Sequence, residues 1–84
     1  MTGERLAIDI IGWVGTATIL GAYLLLSTGR LTGQSRAYQW ANVVGAVCFI
    51  INCTYLGAFP SVALNVAWAA IGLYTLWTIA RRAA

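Results

Sequence analysis

Apolar residues fill two long stretches of this chain, and polar or turn-forming residues separate them. The first stretch covers residues 6–27; the second, residues 37–80, contains no charged residue and no histidine. A spanning helix needs roughly 20 apolar residues, so the tetrapeptide Gly57-Ala58-Phe59-Pro60 is expected to divide the second stretch into two helices. The pattern predicts an all-α membrane protein with a single domain, residues 1–84. Its three spans are expected at about 6–27, 37–56 and 60–80.

Residues that begin and end helices stand at the edges of these spans. Gly29 suits the C-terminal end of the first helix because glycine tolerates the left-handed conformation found there. Ser35 or Thr32 is expected to cap the second helix. Pro60 fits the first turn of the third helix, where its missing N–H costs nothing.

Composition supports the membrane assignment. The 84 residues are 61% hydrophobic and 8% charged, too few charges to cover the exterior of a soluble domain. The first stretch is expected to be a true span and not a signal peptide, because it lacks a basic start and exceeds the usual apolar length of one.

The arginines predict the orientation. Arg30 and Arg36 lie in the first loop, Arg81 and Arg82 follow the third span, and the second loop carries no charge. The positive-inside rule then places the N-terminus outside and the C-terminus in the cytoplasm, as expected for a bacterial inner-membrane protein. The net charge of +3 is thus a topology signal, and anionic lipid headgroups are the expected partners of Arg30 and Arg36; no nucleic acid is expected.

Side chains that carry catalysis are scarce. There is no histidine, and Cys48 and Cys53 point about 140° apart on one helix, so they are expected to pack as small apolar residues. No carboxylate pair and no base beside a serine is present. We therefore expect no enzyme activity, no metal and no cofactor.

Polar residues of the last two spans are expected to share one stripe on each helix. Projection at 100° per residue groups each set within about 80°. On the second helix the set is Tyr38, Asn42, Gly45, Phe49, Asn52 and Leu56; on the third it is Ser61, Asn65, Trp68, Gly72, Thr75 and Ile79. Counting inward from the turn puts Asn52 level with Asn65, Phe49 with Trp68, Gly45 with Gly72 and Asn42 with Thr75.

Two interpretations of the stripe stay open. In the first, the amides hydrogen-bond across helices and small residues allow close packing. In the second, Asn42, Phe49, Asn52, Asn65 and Trp68 line a polar cavity that binds a ligand. Three helices enclose little volume, so a cavity would need a second copy, most simply in a two-fold homodimer.

Small residues on the first span are also expected to mark a helix contact. Gly12, Gly15, Thr18 and Ala22 share an arc of about 120°. Ala17 and Gly21 form a small-residue pair on another side of that helix, as Ala41 and Gly45 do on the second helix.

The junction of the last two helices carries a family resemblance. Tyr55-x-Gly57, then Pro60 and Asn65, resembles the corresponding junction of SemiSWEET transporters, bacterial half-size members of the PQ-loop superfamily. The resemblance implies a three-helix bundle that forms homodimers and passes neutral sugars by alternating access. It implies that Asn65 lines the substrate pocket and that Phe49, one turn from Asn52, supplies the aromatic partner.

Two parts of that family's pattern are missing: the helix-two tryptophan, whose place Asn52 takes, and a proline motif of the first span. The first span reads "AYLLLSTGRL" where the family has a Pro-Gln dipeptide, so Gly15 or Gly21 would have to supply the hinge. Two hypotheses follow. The chain is either a homodimeric carrier of a neutral polar solute without proton coupling, or a structural or accessory subunit of a larger membrane complex.

Overall fold

The computed structural model describes residues 2–83, and they form three helices joined by two short connections. All three are long and apolar enough to cross a membrane, which confirms the prediction of an all-α, multi-pass membrane protein. The helices are α1 (Gly3–Ser27), α2 (Arg36–Leu56) and α3 (Phe59–Ala83). The first begins before the predicted Leu6, and the last continues beyond the predicted Ala80.

The helix ends follow local chemistry. The Ser35 side chain caps α2 by accepting the Tyr38 N–H at 3.4 Å. Gly29, at φ 79°, comes directly after the α1 cap residue Thr28, and Gly57, at φ 75°, ends α2. Both glycines adopt the left-handed conformation that terminates helices. Pro60 is the second residue of α3, within the first turn as predicted.

The middle helix of the sequence is also the middle helix in space. α2 packs against both α1 and α3, whereas α1 and α3 do not approach each other closely within residues 2–83. The molecule measures 47 × 23 × 20 Å. The helices therefore form an open row about α2, so the expected bundle is not closed by a contact between its first and third helices.

Very few side chains are buried. The buried apolar residues are Ala22, Val43, Ala46 and Ala69, and most large apolar side chains are exposed. Since a transmembrane helix faces acyl chains rather than water, this surface suits lipid or a second membrane-embedded chain.

Candidate functional site

The contact between α1 and α2 is built on glycine. A Cβ added at Gly15 would lie 2.8 Å from the Cβ of Cys48 and 3.2 Å from the carbonyl oxygen of Gly45. A Cβ at Gly45 would collide with the Ile19 side chain. The two helices therefore approach closely here only because neither position carries a side chain.

Asn52 belongs to this same contact. Its Nδ2 donates to the carbonyl oxygen of Ile8 in α1 at 2.9 Å. A Cβ at Gly12 would lie 2.6 Å from that nitrogen, so the missing side chain of Gly12 makes room for the amide. Asn52 thus faces α1, and the prediction that it shares an inward stripe with Asn65 on α3 is wrong.

Asn42 organises the contact between α2 and α3. It is the buried polar side chain of the described residues, with 5% of its surface exposed. Its Oδ1 accepts the indole N–H of Trp68 at 3.2 Å, and its Nδ2 donates to the Tyr38 carbonyl oxygen at 3.0 Å. The indole is therefore held by a residue that is itself fixed to its own helix.

The register of α2 and α3 differs from the predicted one. Trp68 bonds to Asn42 and not to Phe49. Phe49 lies about two helical turns from Asn42 along α2. A Cβ at Gly72 would lie 2.8 Å from Val43 Cγ2 and 3.6 Å from Gln39 Oε1, so Gly72 does not face Gly45. The predicted pairs were wrong because counting residues from the turn gives the right level only if the two helices are parallel and share one contact face.

An open cleft of about 270 Å³ lies beside the hydrogen bond between Asn42 and Trp68. We call it the α2–α3 cleft; its lining residues are Tyr38, Gln39, Asn42, Trp68, Ile71 and Gly72. Trp68 is 47% exposed and Ile71 is 65% exposed, which places both at its mouth. Gly72 lets α3 pack closely on Val43 beside the cleft, since a Cβ there would lie 2.8 Å from Val43 Cγ2.

Phe49 and Asn65 lie outside this cleft. Phe49 lines a groove of similar volume, about 270 Å³, on the α1 side, with Thr16, Ile19, Leu20 and Tyr23. The accessible surface of this groove is apolar. The Nδ2 of Asn65 donates to the Ser61 carbonyl oxygen of its own helix at 2.8 Å. Of the five predicted binding residues, the α2–α3 cleft brings together Asn42 and Trp68.

Gln39 and Ile71 are the two cleft residues that the sequence projection did not include, and Gln39 is the polar one. Its Nε2 donates to the Gly33 carbonyl oxygen in the α1–α2 loop at 2.7 Å, while its Oε1 faces Gly72. An amide one turn before Asn42 was the available signal. Gln39 fell outside the arc because it projects about 60° beyond Asn42, the residue at the edge of that arc.

The remaining predicted packing residues differ in their surroundings. Gly12, Gly15, Gly45 and Gly72 all lie at helix contacts, whereas a Cβ at Gly21 would meet nothing within 4 Å. Gly21 therefore makes no close approach to a second helix within residues 2–83.

A family model matches residues 8–83, a range that includes most of α1, all of α2 and all of α3. The chain belongs to that family. The match does not itself link the chain to SemiSWEET or PQ-loop proteins. No curated protein and no solved structure matches the chain.

Proposed function

We propose that this family member is a small homodimeric carrier that moves a neutral polar solute across the membrane by alternating access, without proton coupling. The observation that carries the proposal is the α2–α3 cleft, where the Asn42–Trp68 hydrogen bond lies beside an open volume. Trp68 is roughly 20 Å along the helix from Arg81 at 1.5 Å per residue. On α2 the cleft begins in the first turn, at Tyr38 and Gln39, so it reaches from the arginine-rich end to an amide–indole hydrogen bond within the span.

The cleft's chemistry suits a sugar-like solute. Gln39 Oε1 offers an acceptor to hydroxyl groups, since only its Nε2 is bonded within the protein. Asn42, which bonds to Tyr38 and Trp68, presents an edge to the cleft. Trp68 offers a flat apolar face. No ionisable Asp, Glu, Lys, Arg or His occurs between residues 37 and 80. Carriers that couple transport to protons normally keep such a group within their spans, so we propose uncoupled movement of an uncharged molecule.

A second copy completes the site in this proposal. The row of helices leaves the cleft open on one side, because α1 and α3 do not close around it. A two-fold partner facing the same surface would cover Trp68 and Ile71 and enclose a shared volume that Gln39 and Asn42 border. Alternating access would then move one row against the other.

Orientation and relationship belong to the same proposal. The N-terminus lies outside, the arginine-rich end lies in the cytoplasm, and the membrane is the bacterial inner membrane. The junction residues Tyr55, Gly57, Pro60 and Asn65 support a distant relationship to SemiSWEET proteins. Asn65 nevertheless bonds to its own helix, so we propose that Asn42 and Trp68 contact the solute in its place.

Solute flux into proteoliposomes tests the proposal with a panel of sugars and other neutral metabolites. Trp68→Phe keeps an aromatic ring but removes the indole N–H, and we expect it to lower flux about ten-fold, the upper range for one hydrogen bond. Trp40→Phe is the control, since Trp40 is exposed on α2 and does not line the cleft. Flux that falls with Asn65→Ala but not with Trp68→Phe would contradict the assigned site.

A structural subunit is the second candidate, and the amide bonds favour it. Each Asn of the three spans already donates to a carbonyl oxygen of this chain, as expected for residues that stabilise packing. Native mass spectrometry in mild detergent separates the two functions. A stable two-copy species supports the carrier, and a single copy that copurifies with a larger membrane complex supports the subunit.

A further inference from the structure

The two ends of the molecule differ in charge. Arg30, Arg36, Arg81 and Arg82 all belong to the end that holds the α1–α2 loop and the last turn of α3, and no Asp or Glu follows Asp9 in the sequence. At the opposite end, Arg5 Nε pairs with Asp9 Oδ1 at 3.0 Å. The four arginines therefore have no carboxylate side chain at their own end to balance them.

Arg81 stacks on an exposed aromatic ring in the last turns of α3. Its Cζ lies 4.9 Å from the centre of the Trp77 ring, and Trp77 lies 6.1 Å from Tyr74, centre to centre. The two rings are 54% and 64% exposed. A guanidinium that stacks on a ring keeps its edge N–H groups available, so Arg81 presents donors where the apolar span ends.

Arg82 points to the other side and joins α3 to the loop. Its Nη1 donates to Gln34 Oε1 at 2.9 Å. Gln34 is neutral, so this bond orients the guanidinium without cancelling its charge. Gln34 comes just before the cap residue Ser35 and Arg36, the first residue of α2, which adds positive charge on that side.

We propose that this end holds the phosphate of an anionic phospholipid, with Arg81 on Trp77 as the principal contact and Arg82 as a second source of positive charge. A planar guanidinium matches two phosphate oxygens at once. Trp and Tyr rings stand at the headgroup level in membrane proteins, so Trp77 and Tyr74 lie beside the lipid's glycerol region. The site is separate from the α2–α3 cleft and does not depend on the carrier proposal.

Native mass spectrometry with phosphatidylglycerol and phosphatidylcholine, titrated separately, tests the site. We expect the wild type to retain phosphatidylglycerol preferentially and Arg81→Gln to lower that retention about ten-fold, the lower range for the loss of a hydrogen bond to a charged group. Retention of phosphatidylcholine should not change. Inorganic phosphate in place of lipid should give no retained adduct, because it has no acyl chains to lie against Trp77 and Tyr74.

Two further variants separate a defined site from general attraction. Arg30→Gln removes the same charge at the same end, from a loop residue that stacks on no ring within residues 2–83, and should lower retention less than two-fold. Trp77→Leu keeps every charge and should lower it two- to five-fold, about the effect of an exposed cation–π contact. Circular dichroism verifies that all variants have equal helix content. If Arg81→Gln does not fold, retention is measured for Arg81→Lys instead.

Three results would contradict the proposed lipid site. Equal retention by the wild type and Arg81→Gln would overturn the proposal. So would an equal loss in Arg30→Gln, because the attraction would then be diffuse. Full retention by Trp77→Leu would show that the ring does not position the guanidinium.

Discussion

At the scale of single residues, the three asparagines of the spans make different contacts, although all three stand in apolar surroundings in the sequence. Asn42 is buried between two helices and holds an indole. Asn52 ties α2 to α1, and Asn65 bonds only within its own helix. An interhelical bond contributes to tertiary stability, whereas a bond within one turn survives when helices separate.

The contrast between Asn52 and Asn65 gives a stability prediction. Asn52→Ala should lower the free energy of unfolding by about 1 kcal/mol, the usual worth of a hydrogen bond between membrane helices. Asn65→Ala is the matched control and should change it by less than about 0.5 kcal/mol. Reversible unfolding in mixed detergent, followed by circular dichroism, measures both. A larger loss in Asn65→Ala than in Asn52→Ala would contradict the assigned partners.

At the scale of elements, the α1–α2 contact depends on backbone proximity. Gly15 and Gly45 face each other, and a side chain at either would meet atoms of the opposite helix. Such a contact tolerates no added methyl group unless the helices move apart, because the nearest atoms include a carbonyl oxygen of the backbone.

Two glycines on the same helix test this contact. Gly15→Ala should lower the free energy of unfolding by about 1–3 kcal/mol through overpacking. Gly21→Ala meets open space and should leave stability unchanged or raise it by up to about 1 kcal/mol, since alanine favours helix more than glycine. Thermal unfolding of both variants in one detergent makes the comparison. Equal effects of the two substitutions would show that α1 does not cross α2 at Gly15.

The sequence was sufficient for the elements but not for their mutual arrangement. Apolar length determined the three spans, and Ser35 and Pro60 identified helix starts correctly, because these signals are local. The projection of α2 gave one stripe, yet Asn42 faces α3 while Asn52 faces α1. A helical wheel gives directions about one axis, and it carries no information about which neighbour lies there or at what angle the axes cross.

At the scale of the whole molecule, the open row leaves apolar stripes on both outer helices exposed. Leu64, Trp68 and Ile71 lie on one side of α3, within about 60° of each other, and all three are exposed. Trp13, Leu20 and Leu24 form an equally exposed stripe on α1. The α3 stripe alone borders the α2–α3 cleft, so a second copy that completes the cleft must cover α3.

Disulfide crosslinking in native membranes tests this pairing most directly. In a chain with Cys48→Ser and Cys53→Ser, we introduce Leu64→Cys or Ile71→Cys on α3, with Leu20→Cys or Leu24→Cys on α1 as controls. A disulfide requires Cα atoms within about 7 Å, so we expect covalent dimers for at least one α3 position and monomers for both α1 positions. Dimers from α1 together with monomers from both α3 positions would contradict pairing through α3.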